Sequence, residues 1–76
     1  MKVLIIDSSN KRETFEINQN SKIKELVEKI EKKKGINQKI VLHFNGDILD
    51  EEEIISNYDI EENSAIIFIG QFRGGI

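Results

Sequence analysis

The sequence predicts a small α+β domain in which a mixed β-sheet packs on one α-helix. Three observations predict this class: one segment has helical periodicity, several short runs are aliphatic and β-branched, and polar turn signals separate them. The chain has 76 residues, enough for one hydrophobic core. Because it has no cysteine and one histidine, neither a disulfide framework nor a zinc cluster can stabilise it.

A hairpin is predicted at the start of the chain. The first strand is the apolar run Lys2–Ile6, which ends at a polar turn, residues 7–10. Residues 12–18 then alternate between polar and apolar, with Phe15 and Ile17 on one face. This alternation predicts a half-buried second strand.

The helix is the clearest element in the sequence. Four apolar residues at spacing i, i+3, i+4 and i+7 share one face: Ile23, Leu26, Val27 and Ile30. Ser21 is predicted to cap the amino-terminal end, and Gly35 to cap the carboxyl-terminal end.

Three further strands are predicted after the helix. Ile40–Phe44 is followed by the hairpin signal Asn45-Gly46 and a short strand at residues 47–49. The acidic segment 50–59 contains a helical turn anchored by Ile54, Ile55 and Tyr58. Residues 65–69 form the last strand. Because the first and last strands are the most uniformly apolar, we expect them to be central and parallel to each other.

The composition argues against catalytic activity. His43 is the only side chain that titrates near neutrality, and Ser8 and Ser9 lack an activating context. Residues 50–53 are acidic but do not have the spacing of a calcium loop. We therefore expect no enzyme activity, no metal and no cofactor.

Charge and hydropathy indicate which partners and which cellular compartment to expect. The net charge of −3 does not favour a nucleic-acid partner, because such binding relies on accumulated positive charge. No apolar run approaches the roughly 20 residues that span a bilayer, and the amino-terminal apolar run is too short for a signal peptide. We expect a cytoplasmic protein without a membrane partner.

The sequence divides into a domain at residues 1–70 and a tail at residues 71–76. Gly74 and Gly75 lack a Cβ, so this backbone suits a narrow slot in the active site of another enzyme. The simpler alternative is an ordinary frayed terminus.

Segments along almost the whole chain resemble ubiquitin in order and spacing. They include the helix, Leu42-His43-Phe44-Asn45-Gly46, the turn Ser56-Asn57-Tyr58-Asp59-Ile60, and Phe72-Arg73-Gly74-Gly75. The resemblance implies a β-grasp fold and a monomeric protein modifier. It also implies partners: an ATP-dependent activating enzyme, a conjugating enzyme, target proteins, and a processing or deconjugating protease. Gly75 would form the isopeptide bond after that protease removes Ile76.

The resemblance also shows at which recognition positions this chain differs from ubiquitin. Ser8, His43 and Ile69 occupy the positions of the apolar patch that ubiquitin's partners recognise. Because two of the three are polar, we expect many ubiquitin receptors to bind weakly. The resemblance implies that the activating enzyme recognises the segment containing Gln71 and Arg73. Gln71 stands where ubiquitin has an arginine, which implies that this chain uses a dedicated activating enzyme.

Lys11, Lys29 and Lys33 match lysines of ubiquitin and are the possible sites of chain formation. Asp47 and Glu62 replace the two lysines used most, so the common chain types are not expected. Two other functions remain open: a sulfur carrier with a terminal thiocarboxylate, and a non-covalent ubiquitin-like interaction domain.

Overall fold

The computed structural model describes residues 1–36 and 39–70, which form a five-stranded mixed sheet covered on one face by a helix. The elements in chain order are β1 (Lys2–Ile6), β2 (Arg12–Glu16), α1 (Ile23–Lys34), β3 (Ile40–Phe44), β4 (Asp47–Ile48), a 3₁₀ turn (Ile55–Tyr58) and β5 (Ser64–Gly70). The predicted α+β class and element order are confirmed. Strands β2 and β4 are shorter than predicted.

The strand order in the sheet is β2-β1-β5-β3-β4. β1 and β5 are parallel, and the other three pairs of strands are antiparallel. The prediction that the first and last strands lie inside the sheet and run parallel is therefore confirmed. β5, with a strand on each side, has seven residues and is the longest strand.

Alternation along the strands divides the sheet into an inner face against α1 and an outer face. Ile66 of β5, Ile5 of β1 and Leu42 of β3 are almost completely buried on the inner face. The four predicted apolar residues of α1 are all buried opposite them, as expected. Burial of these side chains is the main source of stability in a chain without cross-links.

The amino-terminal end of α1 differs from the prediction. The helix begins at Ile23, and the residue before it makes no side-chain capping bond, so Ser21 is not the cap. The N–H of Ile23 donates instead to the carbonyl of Glu53 at 2.8 Å, and that of Lys24 to the carbonyl of Glu51 at 3.0 Å. Backbone oxygens of a distant loop thus satisfy the helix end, which local sequence does not reveal.

The turn predictions agree better with the structure. Gly35 ends α1 with a φ of 64°, and Asn45 and Gly46 have φ values of 54° and 87°, as a two-residue hairpin requires. In the 3₁₀ turn Ile55 is buried, whereas Ile54 is 38% exposed and does not act as an anchor.

Candidate functional site

The outer face of β5 is unusually apolar. Because Ile66 and Phe68 point into the core, Ala65, Ile67 and Ile69 point outward. Ile67 is 48% exposed and Ile69 is 41% exposed. Isolated exposed apolar side chains are common, but two on one strand face invite a search for neighbours.

The strand register supplies these neighbours. Ile67 lies opposite Ile6 of β1 on one side and opposite His43 of β3 on the other. His43 in turn lies opposite Ile48 of β4, which is 65% exposed. Arg12 of β2 pairs with Ile6 and completes the line. One row of side chains therefore crosses the whole sheet, with three isoleucines and the histidine in sequence along it.

Further apolar side chains widen this row. Leu4 lies opposite Ala65, and Val41 lies opposite Ile69. We call the resulting surface the outer patch; it consists of Leu4, Ile6, Val41, His43, Ile48, Ala65, Ile67 and Ile69. A rigid sheet that exposes large aliphatic groups around one polar ring is suited to binding another protein.

The predicted patch residues are only partly brought together. His43 and Ile69 both lie on the outer patch, whereas Ser8 lies exposed in the turn between β1 and β2. Sequence reasoning missed Ile67 and Ile48, which make the surface more apolar than the three predicted residues suggest. The alternation of residues 65–69 could have indicated Ile67, but only the strand register places it beside His43.

The three candidate chain lysines have different surroundings. The ammonium of Lys29 donates to the backbone carbonyl of Glu16 at 2.8 Å. That of Lys33 lies 3.6 Å from the Glu13 carboxylate and 5.3 Å from the centre of the Phe15 ring. Lys11 is exposed in the turn before β2, and within residues 1–36 and 39–70 its ammonium forms no ion pair.

A charged cluster joins the end of α1 to the first hairpin. The Lys34 ammonium lies 2.6 Å from the Glu13 carboxylate and 3.8 Å from that of Asp7. The hydrogen bond from Lys34 is the largest cause that lowers the pKa of Glu13 below its ordinary value. The pKa of Asp7 is also lowered, chiefly by the hydroxyl of Ser9, which donates at 2.7 Å.

This charged cluster links the end of α1 to the first hairpin through ion pairs. In the part of the chain that the structure describes, no group of three histidine, cysteine, aspartate or glutamate residues could hold a metal ion. The same part contains no helix long and apolar enough to cross a membrane.

The predicted conjugation and processing residues lie outside the described residues, as do the enzyme-recognition residues: Gln71, Arg73, Gly74, Gly75 and Ile76.

The chain is similar to a known protein family. A family model described as "Ubiquitin-2 like Rad60 SUMO-like" matches residues 1–67, which include all of the elements up to the middle of β5. No curated protein matches the chain.

Proposed function

Because the chain belongs to the ubiquitin-like family "Ubiquitin-2 like Rad60 SUMO-like", we propose that it is a protein modifier attached to target lysines through the carboxylate of Gly75. The observation that carries this proposal is the motif Arg73-Gly74-Gly75, which begins three residues after β5 ends at Gly70. Covalent geometry allows the five residues from Gly70 to Gly75 to extend about 18 Å at most. That length suits delivery of a carboxylate into an active site while the folded body stays outside.

The chemistry would be supplied by partner enzymes. After cleavage between Gly75 and Ile76, the Gly75 carboxylate would attack the α-phosphate of ATP and release pyrophosphate. A cysteine thiolate of the activating enzyme would then displace AMP, and a conjugating enzyme would accept the resulting thioester. A lysine amine of the target would finally displace the thiol and form the isopeptide bond. Gln71 would make the activating step specific for a dedicated enzyme.

In this proposal the outer patch recognises partner proteins. Its exposed isoleucines are Ile48, Ile67 and Ile69, and together with His43 they form the centre of the patch. Arg12 lies at one end of the row of side chains that crosses the sheet. The surface also favours a second function, that of a non-covalent interaction domain that uses the patch and not the tail. Both functions predict protein partners; they differ in whether Gly75 becomes covalently bound.

The decisive experiment is a search for the covalent bond. Total protein from the native host and from a strain lacking the gene is digested with trypsin, which cuts after Arg73. Conjugation is expected to leave Gly74-Gly75 on acceptor lysines, and these marks should disappear with the gene. Intact mass would separately reveal a thiocarboxylate at Gly75, the signature of a sulfur carrier. If no gene-dependent mark appears, the modifier proposal fails and the interaction domain replaces it.

A further inference from the structure

The turn between β3 and β4 is the dipeptide Asn45-Gly46, and both of its residues are exposed. Asn45 has a φ of 54° and Gly46 a φ of 87°. A Cβ placed on Gly46 would have nothing within 4 Å, so open space surrounds the backbone of this glycine. The side-chain amide of Asn45 is therefore followed by a backbone nitrogen that no side chain shields.

An asparagine side chain can react with the main chain that follows it. The backbone nitrogen of the next residue attacks the side-chain carbonyl carbon, and a Cβ on that next residue hinders the approach. Because the nitrogen must first lose its proton, a hydrogen bond that holds its N–H opposes the reaction. The reaction is therefore favoured at an exposed Asn-Gly pair in which the glycine N–H is not held.

Asn10 and Asn63 are useful comparisons, because their φ values of 68° and 67° resemble that of Asn45. The backbone N–H that follows Asn10 donates to the carboxylate of Asp7 at 3.0 Å. The backbone N–H that follows Asn63 donates to the carbonyl of Glu61, also at 3.0 Å. At both sites the reaction would first have to break a hydrogen bond.

The N–H of Gly46 is not held in this way. Within residues 1–36 and 39–70, no backbone or side-chain oxygen accepts a hydrogen bond from it. In addition, β4 has only two residues, so few hydrogen bonds oppose fluctuation of the turn. The fold thus leaves this asparagine open to reaction and protects the other two.

We propose that Asn45 is a modification site that loses ammonia without the help of an enzyme. The nitrogen of Gly46 forms a bond to Cγ of Asn45, and the bond from Cγ to Nδ2 breaks. A proton passes through water from the attacking nitrogen to Nδ2, which leaves as ammonia. Water then opens the cyclic imide at either carbonyl and gives aspartate or isoaspartate. One water is consumed for each ammonia released, and nothing is oxidised or reduced.

The isoaspartate product changes the outer patch. It adds a methylene group to the main chain inside a two-residue turn, and the type of turn fixes the register of the two strands. That register places Ile48 of β4 opposite His43 of β3. Isoaspartate therefore shifts Ile48 relative to His43, whereas aspartate keeps the main chain and adds one negative charge. This inference uses only the folded domain and does not depend on conjugation through Gly75.

The first test follows the folded full chain at mildly alkaline pH, where the attacking nitrogen is more often deprotonated. Proteolytic peptides are analysed by mass spectrometry, with electron-transfer fragmentation to distinguish isoaspartate from aspartate. We expect Asn45 to lose its amide severalfold faster than Asn10 or Asn63, with ammonia released in equal amount. An intact Asn45, or equal rates at the three sites, would overturn the inference.

Asn45→Gly and Asn63→Gly form a matched pair of variants, because glycine readily adopts the positive φ of both positions. Asn45→Gly should remove most of the early ammonia release, whereas Asn63→Gly should remove little. In urea that unfolds the chain, the N–H groups after Asn10 and Asn63 are released, so the difference between the three sites should narrow. A difference as large in the unfolded chain would overturn the role assigned to the hydrogen bonds.

The effect on the outer patch is tested with the isoaspartate form, purified by chromatography after the incubation. The amide NMR signals of His43 and Ile48 should move severalfold further in this form than in the Asn45→Asp variant. That variant has the same charge as the isoaspartate form but an unaltered main chain. Equal movement in the two proteins would show that charge alone acts and would refute the shift of Ile48.

Discussion

The Lys34 ammonium of α1 lies 2.6 Å from the Glu13 carboxylate of β2 and thereby connects the end of the helix to the edge of the sheet. Lys33 approaches the same carboxylate at 3.6 Å. Two cations around one carboxylate explain why the pKa of Glu13 is lowered, and they make this contact sensitive to acid.

We predict that Glu13→Gln lowers the melting temperature at neutral pH but has less effect in acid. A carboxyl whose pKa is lowered by folding stabilises the protein above its ordinary value, here 4.5, and loses that contribution as pH falls through the folded pKa. The measurement is the melting temperature of each variant at pH values from neutral to below 4.5. Glu28→Gln, on the exposed face of α1, is the control. A difference between the Glu13 variant and the unaltered protein that stays constant with pH would contradict the prediction.

Neighbouring residues of β5 should respond very differently to truncation. Ile66→Ala is expected to reduce the free energy of unfolding by about 2–5 kcal/mol, because Ile66 is completely buried and a cavity remains. Ile67→Thr should cost less than about 1 kcal/mol, since Ile67 is half exposed and threonine also favours strands. Urea denaturation measures both. Similar losses would show that the outer patch is packed in the free protein.

The proposed modifier function predicts that Gly75→Ala abolishes conjugation. The added Cβ would obstruct the narrow approach to the reacting carbonyl. Conjugates are measured by mass spectrometry after the variant gene replaces the original one. Ile76→Val is the control, because it changes only the residue after the cut and should conjugate normally. Undiminished conjugates from Gly75→Ala would refute the proposed role of Gly75.

If the protein attaches to copies of itself, Lys11 should be the preferred acceptor. Lys33 is held near Glu13 and Phe15, and Lys29 donates to a backbone carbonyl, so both must leave a contact before they react. Lys11→Arg should therefore remove most self-conjugates, whereas Lys33→Arg should remove few. Peptide mapping of purified conjugates gives the proportions, and a majority through Lys33 would contradict this order.

The sequence by itself determined the order of the elements and the buried faces of α1 and β2. The helical spacing of Ile23, Leu26, Val27 and Ile30 and the alternation around Phe15 record which side chains avoid water, and this signal is local. Gly35 and Asn45-Gly46 were equally readable, because the backbone conformations required there favour these residue types.

Only the tertiary structure decided which distant residues meet. His43, Ile67 and Ile48 become neighbours through the registers of β3 with β5 and β4. At the amino-terminal end of α1, the backbone N–H groups donate to the carbonyls of Glu51 and Glu53, and Ser21 is not the cap. Such contacts depend on backbone hydrogen bonds, which any residue except proline can donate. The side-chain pattern therefore leaves no local signal of them.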